Sequence, residues 1–199
     1  MGAHERTRHA FSVVTGARAW SIDLGGWVVA ARRAPSPNFD ARPAGTVITL
    51  LIIHNISLPP GEFGGSAIES FFLNRLDHEA HPFYGELRGV RVSAHFLIRR
   101  DGELIQFVSC DERAWHAGAS QWQGREHCND FSIGIELEGT DEVPYADLQY
   151  STLASLSRSI ADRYPITAVV GHSDVAPVRK SDPGPAFDWS RYLRQLAFV

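Results

Sequence analysis

The run Val47–Ile53, reading Val-Ile-Thr-Leu-Leu-Ile-Ile, is apolar or β-branched at every position. A strand with one wet face would alternate, so this continuous run fits a central strand buried on both faces. That is the setting of an α/β domain, in which helices cover a largely parallel sheet. A second apolar run, Thr167-Ala168-Val169-Val170, reads as another buried strand. Each run leads into a histidine: His54, with Asn55, after the first, and His172, one residue past Gly171, after the second. Open α/β sheets place ligands at the C-terminal edges of their strands, and the two histidines could face each other if the strands are neighbours.

Elsewhere the pattern supplies the helices and hairpins around such a sheet. Ser66 with Glu69 is a capping-box signal for a short helix whose Ile68, Phe71 and Phe72 share a core face. Ser93–Arg100 and Glu103–Val108 flank Asp101-Gly102, which predicts a hairpin with a tight primed turn, and His95 within it reads as a packed residue. Phe131–Glu138 alternates strictly, with Phe131, Ile133, Ile135 and Leu137 on one face. Ser132, Gly134, Glu136 and Glu138 fall on the other face, usually the solvent side; if that face lines a cleft, Gly134 leaves room for a substrate. Tyr145–Tyr164 predicts the longest helix, ended by Pro165, and Asp188 caps a final one. Trp27–Ala31 is compatible with a short helix or an edge segment.

At 199 residues the chain suits one domain with a full core, and residues 1–24 read as a loosely attached N-terminal extension ahead of a domain over 25–199. A net charge of −4 disfavours general binding to nucleic acid or anionic wall polymers. No apolar run reaches the ~20 residues needed to span a bilayer, and Phe11–Val14 is too short for a signal-peptide core. With only Cys110 and Cys128 there is no disulfide framework, which suits the cytoplasm.

His172 opens the segment Gly171–Pro185, GHSDVAPVRKSDPGP, in which Pro177, Pro183 and Pro185 forbid a helix and stiffen a loop carrying Asp174, Lys180 and Asp182. No G-x-S-x-G elbow, Walker sequence or G-x-G-x-x-G occurs, and Cys128 has no assured histidine partner for nucleophilic work. A metal site accounts for more of the pattern. His54, His172 and Asp182 supply three ligands of the kind that catalytic zinc sites use, with a position left open for water. Glu136 is then the leading candidate for the base, and Lys180 for the cation beside a developing oxyanion.

Five ordered blocks carry a resemblance to a known family: TLLIIHNIS, RVSAHFLIRRDGELIQFV, RAWHAG, GREHCNDFSIGIELEGT and GHSDVAPVRKSDPGPAFDW. Over roughly residues 27–189 the chain resembles the zinc-dependent N-acetylmuramoyl-L-alanine amidases related to phage T7 lysozyme. Within them it is similar to the AmpD subgroup, cytoplasmic enzymes that recycle 1,6-anhydro-muropeptides. The resemblance implies a single domain with a mixed central sheet flanked by helices and one zinc ion (Zn2+) in a surface groove. It implies His54, His172 and Asp182 as metal ligands, Glu136 and Lys180 as catalytic residues, and a small-molecule muropeptide as substrate, with no nucleic acid, membrane or obligate protein partner. Substrate contacts would come from Asn55, Arg91, Trp115, His116 and Ala117. Asp182 stands where the phage branch has Cys. Two positions depart from the pattern, His127 where relatives carry Arg and Phe83-Tyr84 in inverted order. Two alternatives remain open: a non-catalytic peptidoglycan-binding module of the same fold, and an amidase of intact wall. The complete set of Asp182, Glu136 and Lys180 favours catalysis over the first.

Overall fold

The computed structural model describes residues 20–197. In chain order the elements are β1 (Arg32–Arg33), β2 (Phe39–Asp40), β3 (Leu50–Ile56), α1 (Ala67–Phe72), α2 (Pro82–Glu86), β4 (Phe96–Ile98) and β5 (Leu104–Gln106). There follow β6 (Arg113–Ala114), β7 (Gln121–Trp122), β8 (Arg125–Glu126), a 3₁₀ turn (Cys128–Asp130) and β9 (Ser132–Glu138). The chain closes with α3 (Asp147–Arg163), β10 (Ala168–Gly171), α4 (His172–Val175) and α5 (Trp189–Ala197).

Among the described residues, six strands form one sheet in the order β1-β5-β4-β9-β3-β10. Only β4 and β5 pair antiparallel; the other neighbours are parallel, so the sheet is mixed, as expected. The apolar run does become a central strand, but shifted: β3 begins at Leu50 and continues through His54 and Asn55 to Ile56. His54 is therefore inside the strand, paired in register with Glu136 of β9, and not beyond its end. The neighbouring β10 stops at Gly171, opposite Ile53, which brings His172 beside His54.

Alternation decides what each face meets. Leu51, Ile53, Phe96, Ile98, Ile133, Ile135 and Leu137 pack with the α3 and α5 side chains Leu153, Leu156, Ile160 and Tyr192 in the larger core. The opposite face is also covered. Leu97 and Ile105 pack with Ile68, Phe71 and Phe72 of α1, while Leu50 and Ile52 pack with Ala117, Cys128 and Phe131. Between these two smaller cores lie His54 and Glu136. β9 is thus buried along its whole length, carboxylates included, which overturns the solvent-facing reading of its polar side.

Several local expectations change. Ser66 precedes α1 without a side-chain cap, and Glu69 instead pairs with Arg32 at 2.7 Å. The hairpin turn is a three-residue loop closed by Gly102 N–H to Arg99 C=O at 2.9 Å. There Gly102 has positive φ while Arg100 and Asp101 do not, so the two-residue primed turn does not form. The segment after His172 holds one helical turn, α4, before Pro177 ends it. Trp27–Ala31 is a turn bridged at Val28 to Ile22. Most of the expected extension, residues 1–19, lies outside the described residues. Trp20 and Ile22 pack against the larger core.

Candidate metal centre and active site

Three elements converge on one point. His54 projects from β3, His172 begins α4 directly after β10, and Asp182 comes from the proline-rich loop that follows. That loop is clamped near its acidic residue: Ser173 N–H donates to Asp182 C=O at 2.9 Å and Tyr145 O–H to Pro183 C=O at 2.8 Å. A Cβ on Gly171 would lie 2.8 Å from Pro183 Cδ, so the glycine lets the loop fold back across the strand end.

The result is a nearly equilateral triangle. His54 Nδ1 lies 3.0 Å from His172 Nδ1, and each nitrogen is 3.1 Å from Asp182 Oδ2. All three residues are buried. Ligand atoms around a tetrahedral zinc, each at 2.0–2.1 Å, are about 3.3 Å apart, so the spacing suits a metal ion of that size. The chemistry agrees. Burial pushes the His54 imidazole down to about 4 against the pull of Asp182, leaving it neutral near pH 7, the form that ligates metal. Two nitrogens and a carboxylate oxygen that point at one another across 3 Å call for a cation between them.

Glu136 stands opposite His54 on the adjacent strand, 8% exposed, and its Oε2 is buried without a hydrogen-bond partner. Burial, reinforced by the charge of Asp182, raises its carboxyl well above the usual range, while Lys180 pulls it down. Such an oxygen, desolvated and unpaired, is poised for proton transfer. Lys180 is exposed at the rim, close enough for its charge to act on both Glu136 and His54. Its neighbour Arg179 anchors the loop through Nη2, which donates to Ala117 C=O at 2.7 Å and Ala119 C=O at 3.0 Å.

The remaining expected contacts separate into two groups. Asn55 donates to Asp141 Oδ1 at 2.7 Å and is partly open, as is Trp115. Arg91 is exposed and lines a hollow with Phe71, Asn74, Leu76 and His78. His116 and Ala117 are buried, and both face the candidate metal ligands. His116 Nδ1 is 3.0 Å from His54 Nε2, and the Ala117 carbonyl lies 3.2 Å from His172 Nε2. The space beside Gly134 is filled by His116 rather than left for a ligand: a Cβ there would come within 2.4 Å of the ring. Glu138 is likewise unsuited to be an alternative base. It is 1% exposed, bridges to Arg99 at 3.1 Å, and accepts from Gly64 N–H and Arg100 N–H.

Sequence reading missed Arg42 altogether. Its buried guanidinium spends four N–H groups on the carbonyls of Asn129, Asp130, Cys110 and Ser132, at 2.7–3.1 Å. This stitches the 3₁₀ turn and the start of β9 to the segment after β5. A lone Arg beside Pro43 carries no local signal of that role.

Residues 44–185 match the family model described as N-acetylmuramoyl-L-alanine amidase. The chain is 61% identical over 169 residues to the 1,6-anhydro-N-acetylmuramyl-L-alanine amidase AmpD of Escherichia coli K12, covering 84% of this chain and 92% of that one. A crystal structure of a selenomethionine AmpD derivative superposes with a TM-score of 0.86 at 54% identity, over 88% of this chain and 98% of that one. A complex of the E. coli amidase AmiD with anhydro-N-acetylmuramic acid-L-Ala-D-γ-Glu-L-Lys gives a TM-score of 0.54 at 29% identity, over 87% of this chain and 65% of that one. With a family model spanning β3 to β10 and the candidate metal site, and a relative this similar over most of its length, the chain belongs to the N-acetylmuramoyl-L-alanine amidase family, in its AmpD subgroup.

Proposed function

We propose that this chain hydrolyses the amide between 1,6-anhydro-N-acetylmuramic acid and L-alanine in muropeptides, with one zinc ion held by His54 Nδ1, His172 Nδ1 and Asp182 Oδ2. The amidase activity comes with the family, and the anhydro sugar with the AmpD relatives and the substrate seen in the AmiD complex. The observation that carries the reading is the juxtaposition of three facing ligand atoms with a buried carboxylate oxygen that has no partner.

Zinc bound there supplies a Lewis acid that polarises the scissile carbonyl and eases ionisation of water. The rest of the chemistry belongs to side chains. Glu136 takes a proton from the attacking water at Oε2 and returns it to the alanine nitrogen as the C–N bond breaks, releasing free peptide and the anhydromuramic acid carboxylate. The Lys180 ammonium stabilises the negative charge that develops on the carbonyl oxygen. Asn55, Trp115 and Arg91 would contact the sugar and stem peptide. The role is recycling of cell-wall fragments. Two free, buried cysteines suit work in the reducing cytoplasm.

Purified protein should carry about one zinc per chain, following from a three-ligand site, and lose activity to a chelator. It should turn over an anhydro-muropeptide faster than it releases peptide from intact sacculi. Equal or faster release from sacculi would assign it to intact wall instead, and a metal-free protein of full activity would remove zinc from the reading.

A further inference from the structure

We infer that His116 and Ser132 form a positioning relay that keeps the proton off His54 Nδ1, and so hold that ligand ready for metal. The inference rests on the zinc reading above and deepens it.

The relay can be read outward from a group whose role is unambiguous. The Cys128 carbonyl can only accept, and Ser132 Oγ lies 2.6 Å from it, so the hydroxyl proton points there. Ser132 Oγ is then an acceptor toward His116 Nε2 at 3.3 Å, which places the His116 proton on Nε2. His116 Nδ1 is left with its lone pair, 3.0 Å from His54 Nε2. His54 must therefore donate from Nε2, and its Nδ1 faces His172 and Asp182 without a proton. The competing tautomer would put that proton on Nδ1, aimed at the Asp182 oxygen 3.1 Å away, and block the metal position. His172 reaches the same state by a shorter route: its Nε2 faces the Ala117 carbonyl at 3.2 Å, which obliges Nε2 to be the donor.

The fold commits space to this relay. The edge-on contact of the His54 and His116 rings, 5.1 Å between centroids at 87°, aims one nitrogen at the other. Gly134 gives up its side chain to admit the His116 ring, since a Cβ would sit 2.4 Å from Cγ and Nδ1. Asn129 Oδ1 accepts from the backbone N–H groups of His116 and Ala117, at 3.2 and 2.8 Å, which fixes the backbone that presents both acceptors. Ligating histidines usually need such a partner on the second nitrogen, and its loss costs 10–100-fold in metal affinity.

The test is chelator competition for zinc on the full-length protein, with kcat and KM on an anhydro-muropeptide and circular dichroism as a check on folding. Ser132→Ala and His116→Leu should weaken zinc binding about 10–100-fold. His116→Asn, whose amide oxygen takes the place of Nδ1, should recover most of that loss; zinc-saturated Ser132→Ala should keep the wild-type KM. Folded variants that hold zinc as tightly as wild type overturn the relay, and a rise confined to KM would return His116 to substrate binding. If wild-type protein itself binds no zinc, the metal reading fails, a separate result. Should His116→Leu not fold, Ser132→Ala, which removes one oxygen from a tight core, decides the matter.

Discussion

At the scale of single residues, Glu136 and Glu138 show how two identical side chains on one strand face meet opposite surroundings. Glu138 meets Arg99 and two backbone N–H groups, so its charge is used up in holding structure. Glu136, two residues earlier, has an oxygen with nothing to bond. Buried polar atoms are almost always satisfied, and one that is not, beside a candidate metal centre, fits the proton-transfer role proposed for Glu136. Glu136→Gln keeps the shape and removes the base, so it should retain zinc while kcat falls roughly 10²–10⁴-fold. Under the proposed mechanism Lys180→Ala should lower kcat with little change in KM, because its charge would act on the transition state. Steady-state kinetics with metal analysis checks both, and a wild-type rate in Glu136→Gln would exclude it as the base.

At the scale of elements, β9 is the axis of the molecule: it pairs with both β3 and β4, and every residue in it is buried. That position explains why Glu138 must be matched. Removing its carboxylate leaves the Arg99 guanidinium, in a site where that side chain is only 11% exposed, with just the longer 3.7 Å pairing to Glu103. Breaking one partner of a buried pair typically costs about 3–5 kcal/mol. Glu138→Ala should lose stability of that order in urea denaturation, while the folded fraction keeps its zinc. A loss below about 1 kcal/mol would mean the pair behaves like a solvated surface bridge. Strand pattern in the sequence was enough to find β9 and its two faces. It did not reveal that both faces are covered, because alternation reports relative orientation and says nothing of what packs on the polar side.

At the scale of the whole molecule, stability should depend on pH through His95, which joins β4 to β9. Its Nδ1 accepts from Gly134 N–H at 3.0 Å, so Nε2–H turns to the Glu112 carbonyl at 3.1 Å. Burial above all, then the nearby Arg42 charge, holds its imidazole well below the usual value, against that bond to Glu112. The unfolded chain gains a proton there below about pH 6.5 while the folded chain does not. Stability from this group is therefore complete above that pH. It falls as pH drops, by up to about 1.4 kcal/mol per unit, until the folded pKa is reached. Denaturation at a series of pH values should show the slope between pH 6.5 and 5 shrinking by about one proton in His95→Asn. An unchanged slope would show that His95 already carries a proton in the folded state.

The amino-acid sequence by itself determined the central strands, the histidine that follows each apolar run, and the acidic third member of the triad. Those features are local: runs of β-branched residues, prolines that stiffen a loop, and blocks specific enough to identify a family. It also determined the long helix, which formed as Asp147–Arg163 within the expected Tyr145–Tyr164. Tertiary structure alone decided which way His116 turns, what fills the gap at Gly134, which carboxylate of β9 is free, and where Arg42 finds its four carbonyls. Each of these depends on atoms brought together across long stretches of chain, such as Arg42 with Ser132 and His54 with Asp182. A ring nitrogen or a carboxylate takes its chemistry from the group it faces, and that group is chosen by folding.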